Sequence, residues 1–325
     1  MVQGKLLLRS ISLTSQIKPK HSKIWKNWIH RSARVQCPAS ENEMTNLREK
    51  FSTRSFGGYQ KVFAHDSEVN KCEMRFAIYL PDQCKNEKLP VIYHLSGLTM
   101  DHIEYIEKSG SQRIASNLGV IIVAPDSSPR NTNIPGEKDK WNIGTKASYY
   151  IDSCAEPWSK HYKMYTYLSE ELPKIINDNF PVLPDKQSIM GHSIGGHGAF
   201  LIKLQNPTKY KSVSALSPVC DITKAPHSIE GLELYLGCKQ DESWDKWSAI
   251  KVAEKYSGPP LEILIDQGTD DEYLDGHLFP QDFLKACEKS GIKVKFNERE
   301  KFTHNYYFIA TFIEDHIKYH MQFLK

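Results

Sequence analysis

Residues 187–205 read Gln187-Ser188-Ile189-Met190-Gly191-His192-Ser193-Ile194-Gly195-Gly196-His197-Gly198-Ala199-Phe200-Leu201-Ile202-Lys203-Leu204-Gln205. A short apolar run, a G-x-S-x-G turn and a helix-like stretch follow one another without a gap. A serine in such a strand-to-helix turn is held in a strained backbone conformation, and side chains in place of the flanking glycines would collide with the turn itself. The turn lifts the hydroxyl above the sheet. It also aims the Ile194 N–H and the positive helix N-terminus at the place where a tetrahedral oxyanion would form. A bare G-x-S-x-G match is often only a glycine-rich turn with a solvated serine. The strand before it and the helix after it set this one apart, making Ser193 a candidate nucleophile.

Outward from that turn the chain alternates between two kinds of segment. Residues 74–80, 91–95, 120–124, 187–190, 213–216, 261–265 and 294–297 are short apolar runs bounded by Gly, Pro or Asp, as suits buried strands. Residues 165–179, 196–205, 280–289 and 306–323 read as helices. Strands alternating with helices predict an α/β fold with a mostly parallel sheet covered on both faces. Residues 127–160, rich in Pro, Gly, Asn and aromatics, break the rhythm, and an excursion of that length usually lines or caps a site.

A serine hydroxyl needs a base, and the base needs an acid to orient it, in the chain order Ser, Asp, His for such a turn. Residues 261–271 read as a buried strand running into Asp270-Asp271. Asp271 is the first choice for the acid and Asp270 the second, while Asp266, at the strand end, suits bracing the turn. His304 lies between the last strand and the C-terminal helix, where a loop can drop an imidazole onto the serine. His316 and His320, inside that helix, are expected to be solvated. His192 and His197 are expected to be fixed by packing around the turn. A second oxyanion donor is expected on the Leu98 backbone, after the apolar run 91–95 and Ser96-Gly97.

Composition bounds the rest. The 325 residues are 40% hydrophobic and 25% charged, ordinary for one large globular domain. The longest aliphatic run, 119–124, is far short of the roughly 20 apolar residues of a membrane-spanning helix. Residues 1–40 hold eight basic residues and no acid, which leaves 34 basic against 39 acidic residues in the remainder. That sign argues against a nucleic-acid partner for the folded part. Residues 1–43 are read as an extension outside the catalytic domain, with two readings open: a transit peptide, or sequence upstream of an alternative start at Met44. Residues 44–325 are read as one domain. Seven cysteines without a CxxC pair suggest neither a disulfide framework nor a zinc site, and favour a reducing compartment. No cofactor or metal is expected.

Beyond the elbow, Gly57-Gly58-Tyr59-Gln60-Lys61-Val62-Phe63, Leu95-Ser96-Gly97-Leu98-Thr99, Ala124-Pro125-Asp126, Leu264-Ile265-Asp266-Gln267-Gly268 and residues 304–313 carry a resemblance to the S-formylglutathione hydrolases, also called esterase D, of the α/β-hydrolase superfamily. The likeness runs from Phe56 to the C-terminus. It implies a cytosolic, cofactor-free, often dimeric thioesterase that releases formate from a glutathione thioester. Nucleophile, acid and base then fall on Ser193, Asp271 and His304, and the oxyanion donors on the backbones of Leu98 and Ile194. Where the family often carries a cysteine after Leu-Ser-Gly-Leu-Thr, Met100 stands here, so thiol regulation at that place is not expected. Residues 1–43 have no counterpart, and a mitochondrial location follows if they are a transit peptide. A broad carboxylesterase or acyltransferase on the same scaffold is the competing reading, and a binding scaffold without catalysis the more distant one. Because glutathione is anionic, at least one of Lys108, Arg130, Lys138, Lys140, Lys146 and Lys160 is expected to contact its carboxylates, with Trp141 or Trp158 walling the acyl pocket.

Overall fold

The computed structural model describes residues 46–325, so the readings made for residues 1–43 lie outside the described residues. Nine strands form one sheet: β1 Arg48–Ser55, β2 Gly58–Asp66, β3 Glu73–Pro81, β4 Leu89–Leu95, β5 Ile121–Pro125, β6 Val182–His192, β7 Val213–Leu216, β8 Glu262–Gly268 and β9 Lys293–Arg299. Their order across the sheet is β1-β2-β3-β5-β4-β6-β7-β8-β9. From β5 to β9 every pairing is parallel, as the alternating pattern predicts. At the other end β1, β2, β3 and β5 pair antiparallel.

β1 and β2 escape a reading based on apolar runs for a physical reason. β1 is Arg-Glu-Lys-Phe-Ser-Thr-Arg-Ser with its six central residues exposed, so it carries no buried face to leave a hydrophobic signature. It is held by its ladder to β2, and charged residues along such an edge discourage pairing with other chains.

The helices are α1 His102–Lys108, α2 Ser111–Leu118, α3 Met164–Thr166, α4 Leu172–Asn179, α5 Ile194–Gln205, α6 Pro226–Leu236, α7 Ala249–Glu254, α8 Pro280–Ser290 and α9 Tyr306–Phe323, with a π segment at Tyr167–Glu171 joining α3 to α4. They cover both faces, and alternate residues of one strand serve each side. Val91, Tyr93 and Leu95 of β4 pack into one core with Phe200 and Ile202 of α5 and Phe283 of α8. Ile92 packs into the other, with Tyr105 of α1, Ile114 of α2 and Ile309, Ile313 and Ile317 of α9. Each such aliphatic side chain contributes about 1.5–3 kcal/mol when fully buried.

One expectation fails here. His316 and His320 are completely buried, on the face of α9 that meets the sheet. His320 Nδ1 bonds the Ser212 hydroxyl at 2.7 Å and its Nε2 the Ser214 hydroxyl at 2.8 Å, and His316 Nδ1 also reaches Ser214 at 2.8 Å. Two hydroxyls supplied by β7 and its approach make burial of the imidazoles tolerable, and helical position alone does not reveal them. Among the described residues no helix is long and apolar enough to cross a membrane.

Candidate active site

Ser193 directly follows β6 and caps α5 with φ 57° and ψ −123°, a conformation that costs a non-glycine residue on the order of 1–3 kcal/mol. The glycines make it possible. A Cβ on Gly195 would lie 2.0 Å from the Leu95 carbonyl oxygen, and one on Gly191 would lie 2.1 Å from that of Gly195. The turn is further tied down by Ser193 N–H to the Leu216 carbonyl at 3.1 Å and by Val219 N–H to the Ser193 carbonyl at 3.0 Å.

His304 comes from the loop after β9, one residue before Asn305, which caps α9 by accepting from the N–H groups of Tyr307 and Phe308. The cap fixes where the imidazole leaves the chain. Its Nδ1 donates to Asp271 Oδ2 at 2.8 Å, and its ring centre stands 4.6 Å from that of His192, beside the serine. Asp271 lies just past β8, buried. Its Oδ1 accepts from Tyr273 N–H at 3.0 Å and its Oδ2 also from Gln267 Nε2 at 3.1 Å. Burial alone would push the Asp271 carboxyl up, but the hydrogen bond and charge of His304, with the Tyr273 amide and the Ser217 hydroxyl, bring it below the ordinary carboxylate value. An ionised acid is therefore held against the imidazole.

The structure separates the three aspartates. Asp270 is exposed and takes a bond from its neighbour Thr269. Asp266 is fully buried and accepts from Asn297 Nδ2 at 2.7 Å and from Arg299 Nε at 2.8 Å, bracing β8 against β9. Of the three, His304 meets Asp271.

The loop 97–101 packs on the serine from the other side. A Cβ on Gly97 would stand 3.3 Å from the Ser193 Cβ and 3.2 Å from His192 Nδ1. Thr99, at φ 66°, bonds the Lys146 carbonyl through its N–H at 3.0 Å. The excursion 127–160 props this loop from outside: Tyr150 OH donates to the Ser96 carbonyl at 2.6 Å, and Lys146 pairs with Asp101 at 3.0 Å and Glu104 at 3.3 Å. Leu98 N–H, in that loop, and Ile194 N–H, in the first turn of α5, lie on the two segments that flank the serine.

His192 and His197 are buried as expected. Burial, then the charge of His304, holds His192 well below its usual value, and burial holds His197 down to about 4, so both are neutral. Met100 occupies the loop as read, its carbonyl taking the Ser127 hydroxyl.

The cations singled out as anion contacts are mostly engaged within the fold. Arg130 pairs with Asp126, Lys146 with Asp101 and Glu104, and Lys140 with Glu230, while Lys138 donates to Asn131 and Lys108 lies over the Tyr306 ring. Arg130 and Lys160 also line a cleft of about 980 Å³ between β1 and α1 that contains none of Ser193, Asp271 and His304. Trp158 is 5% exposed and packed between Tyr162 and Tyr235, whereas Trp141 stands open to solvent beside His227.

Gln267 and Tyr273 were not singled out in the sequence. No local pattern marks them, since their relation to Asp271 and His304 arises from the turn after β8. Helix α1 did carry a readable signal, the capping box of Asp101 and Glu104, in which each side chain bonds the other's backbone N–H region.

A strained serine at a strand-to-helix turn, with a histidine–aspartate pair supplied from the following strand ends, is the build of an α/β-hydrolase esterase. The family described as "Putative esterase" matches residues 67–319. Curated relatives named S-formylglutathione hydrolase include that of Rattus norvegicus, 48% identical over 279 residues (86% of this chain, 99% of the relative), and that of Arabidopsis thaliana, 42% identical over 283 residues (86% and 99%). The solved structure of an S-formylglutathione hydrolase from Agrobacterium tumefaciens superposes with a TM-score of 0.82 at 42% identity, covering 85% of this chain and 99% of that one. The chain belongs to the S-formylglutathione hydrolase family.

Proposed function

We propose that the protein hydrolyses S-formylglutathione to formate and glutathione, the step that releases as formate the carbon of formaldehyde already oxidised to a glutathione thioester. Ser193 Oγ attacks the formyl carbon while His304 Nε2 accepts its proton. Asp271 holds the Nδ1–H and favours the imidazolium that forms. The N–H groups of Leu98 and Ile194 stabilise the oxyanion. As the tetrahedral intermediate collapses, His304 returns the proton to the sulfur and the thiol leaves. Water, deprotonated by the same imidazole, attacks the formyl ester on Ser193 and releases formate.

What carries the reading is the 2.8 Å bond from His304 to a buried, ionised Asp271 beside a strained serine, in a chain that shares 42–49% identity with relatives of that name. The test is turnover of S-formylglutathione by the purified chain, beside a neutral aryl acetate and a fluorophosphonate label. Ser193→Ala should lose the label and lower turnover by several orders of magnitude without unfolding. Faster turnover of the aryl acetate at matched concentration would favour a broad carboxylesterase, and label retained in Ser193→Ala would move the nucleophile elsewhere.

A further inference from the structure

The base that frees the serine must also protonate the departing sulfur, so the thiol half of the substrate lies on the His304 side of the scissile bond. On that side four rings lead outward from the imidazole. Tyr273 meets His304 edge-on at 5.0 Å, His277 meets Tyr273 at 5.8 Å, His227 lies parallel to His277 at 5.2 Å, and Trp141 flanks His227 at 6.4 Å. Tyr273 and Trp141 are 42% and 62% exposed, large aromatic surfaces to leave in water unless a ligand uses them.

The rings come from three separate segments, and the fold pins them together. Asn142 Nδ2 and Tyr149 OH both donate to the His227 carbonyl at 3.0 Å, tying the start of α6 to the excursion beside Trp141. Gly276 at φ 80° and Phe279 at φ 54° bend the segment that carries His277 back toward α6.

His227 Nδ1 and His277 Nδ1 are 2.9 Å apart. Such a bond needs one N–H donor and one bare nitrogen. In neutral rings the two Nε2 atoms are then of opposite kind, one donor and one acceptor, which matches the C=O and N–H of a peptide group. Burial, with the charges of His277 and His304, brings His227 down to about 4 and so keeps it neutral in the physiological range.

We propose that Tyr273, His277, His227 and Trp141 form the subsite for the thiol half of the substrate, taking a peptidic thiol whose amide planes lie on the rings and whose peptide group bonds the histidine pair. The inference rests on the thioesterase reading above. It reassigns Trp141 from the acyl pocket to the leaving-group side.

The test compares kcat/KM for S-formylglutathione with that for S-formyl-2-mercaptoethanol, which has the same acyl group and no peptide. Trp141→Ala and His277→Phe should each lower the ratio about tenfold, equivalent to about 1.4 kcal/mol, through a higher KM for the peptide thioester. Competitive inhibition by glutathione should weaken by a similar factor. Asp139→Asn, exposed on the same excursion, should keep the wild-type ratio. A wild-type ratio near one refutes the substrate reading itself. A high ratio that survives both ring substitutions, or both substrates losing rate alike, refutes the subsite and leaves that reading standing.

Discussion

Replacing Gln267 by methionine should separate activity from stability. The Gln267 amide donates from Nε2 to Asp271 Oδ2 at 3.1 Å, to the Gly268 carbonyl at 3.2 Å and to the Ser217 hydroxyl at 3.4 Å. Its own carbonyl oxygen is buried without a partner among the described residues. Methionine has nearly the same volume, so no cavity forms. A hydrogen bond to a charged group is worth about 1.5–3 kcal/mol, and Oδ2 keeps its bond from His304, so the lower part of that range, about 1.5–2 kcal/mol, is the expected loss at the imidazolium-forming step. That is a fall in kcat of about 10- to 30-fold. The fold sheds an unpaired buried oxygen while the Asp271 carboxylate and the Gly268 carbonyl each lose one donor, so the melting temperature should move by no more than a few degrees. The pH dependence of stability gives a second reading. The folded Asp271 carboxyl lies below its ordinary value, so the stability it contributes is present above the unfolded value and lost as pH falls through the folded one. Removing a donor moves the folded value up, so the variant should lose less stability than the wild type as the pH is lowered into the carboxylate range. Steady-state kinetics at neutral pH, a thermal melt and urea titrations across pH measure these. A variant with wild-type kcat and a wild-type loss of stability in acid, or one whose loss of rate tracks a loss of melting temperature, would refute the reasoning.

Asp271→Asn should reduce kcat by orders of magnitude and Asp270→Asn by less than about threefold, because one carboxylate holds the imidazole tautomer and the other faces solvent; the reverse ranking would move the acid to Asp270. Acid stability should report the buried histidines. His94 is fully buried, its ring stacked 3.6 Å from that of Tyr105, and burial, with the charge of His316, holds it down to about 3. Its folded value is lowered, so stability is intact above the unfolded value and lost as pH falls below it, where only the unfolded chain takes the proton. Each pH unit below about 6.5 costs about 1.4 kcal/mol for such a group. His94→Phe should then reduce the stability lost between pH 7 and pH 5 by about 2 kcal/mol in urea titrations; an unchanged loss would mean that His94 accepts its proton in the folded state.

The serine and its turn were legible in residues 187–205 because they are enforced locally. The collisions that demand glycine at 191 and 195 lie within the turn or with the adjacent strand end, and the helix follows at once. His304 was legible through chain order, since a base for such a serine has few places to come from. Among the aspartates, residue types and spacing put Asp271 first and Asp270 second with Asp266 still possible, and the resemblance also fell on Asp271. What divides them physically is which carboxylate the turn after β8 buries beneath the imidazole and which it leaves in water. The sheet beyond its apolar runs was legible only where burial leaves a pattern. β1 is polar but for an exposed Phe51 and exists through its partner strand. The helical periodicity of 306–323 was plain, yet it did not show that His316 and His320 face inward, because the Ser212 and Ser214 hydroxyls that meet their rings come from another segment. Gln267 against Asp271 and the rings from His304 to Trp141 join residues up to 163 positions apart. No local rule relates such residues. Their chemistry exists only after the strand ends and the excursion have been brought together by burial of the two cores, so tertiary structure alone decided it.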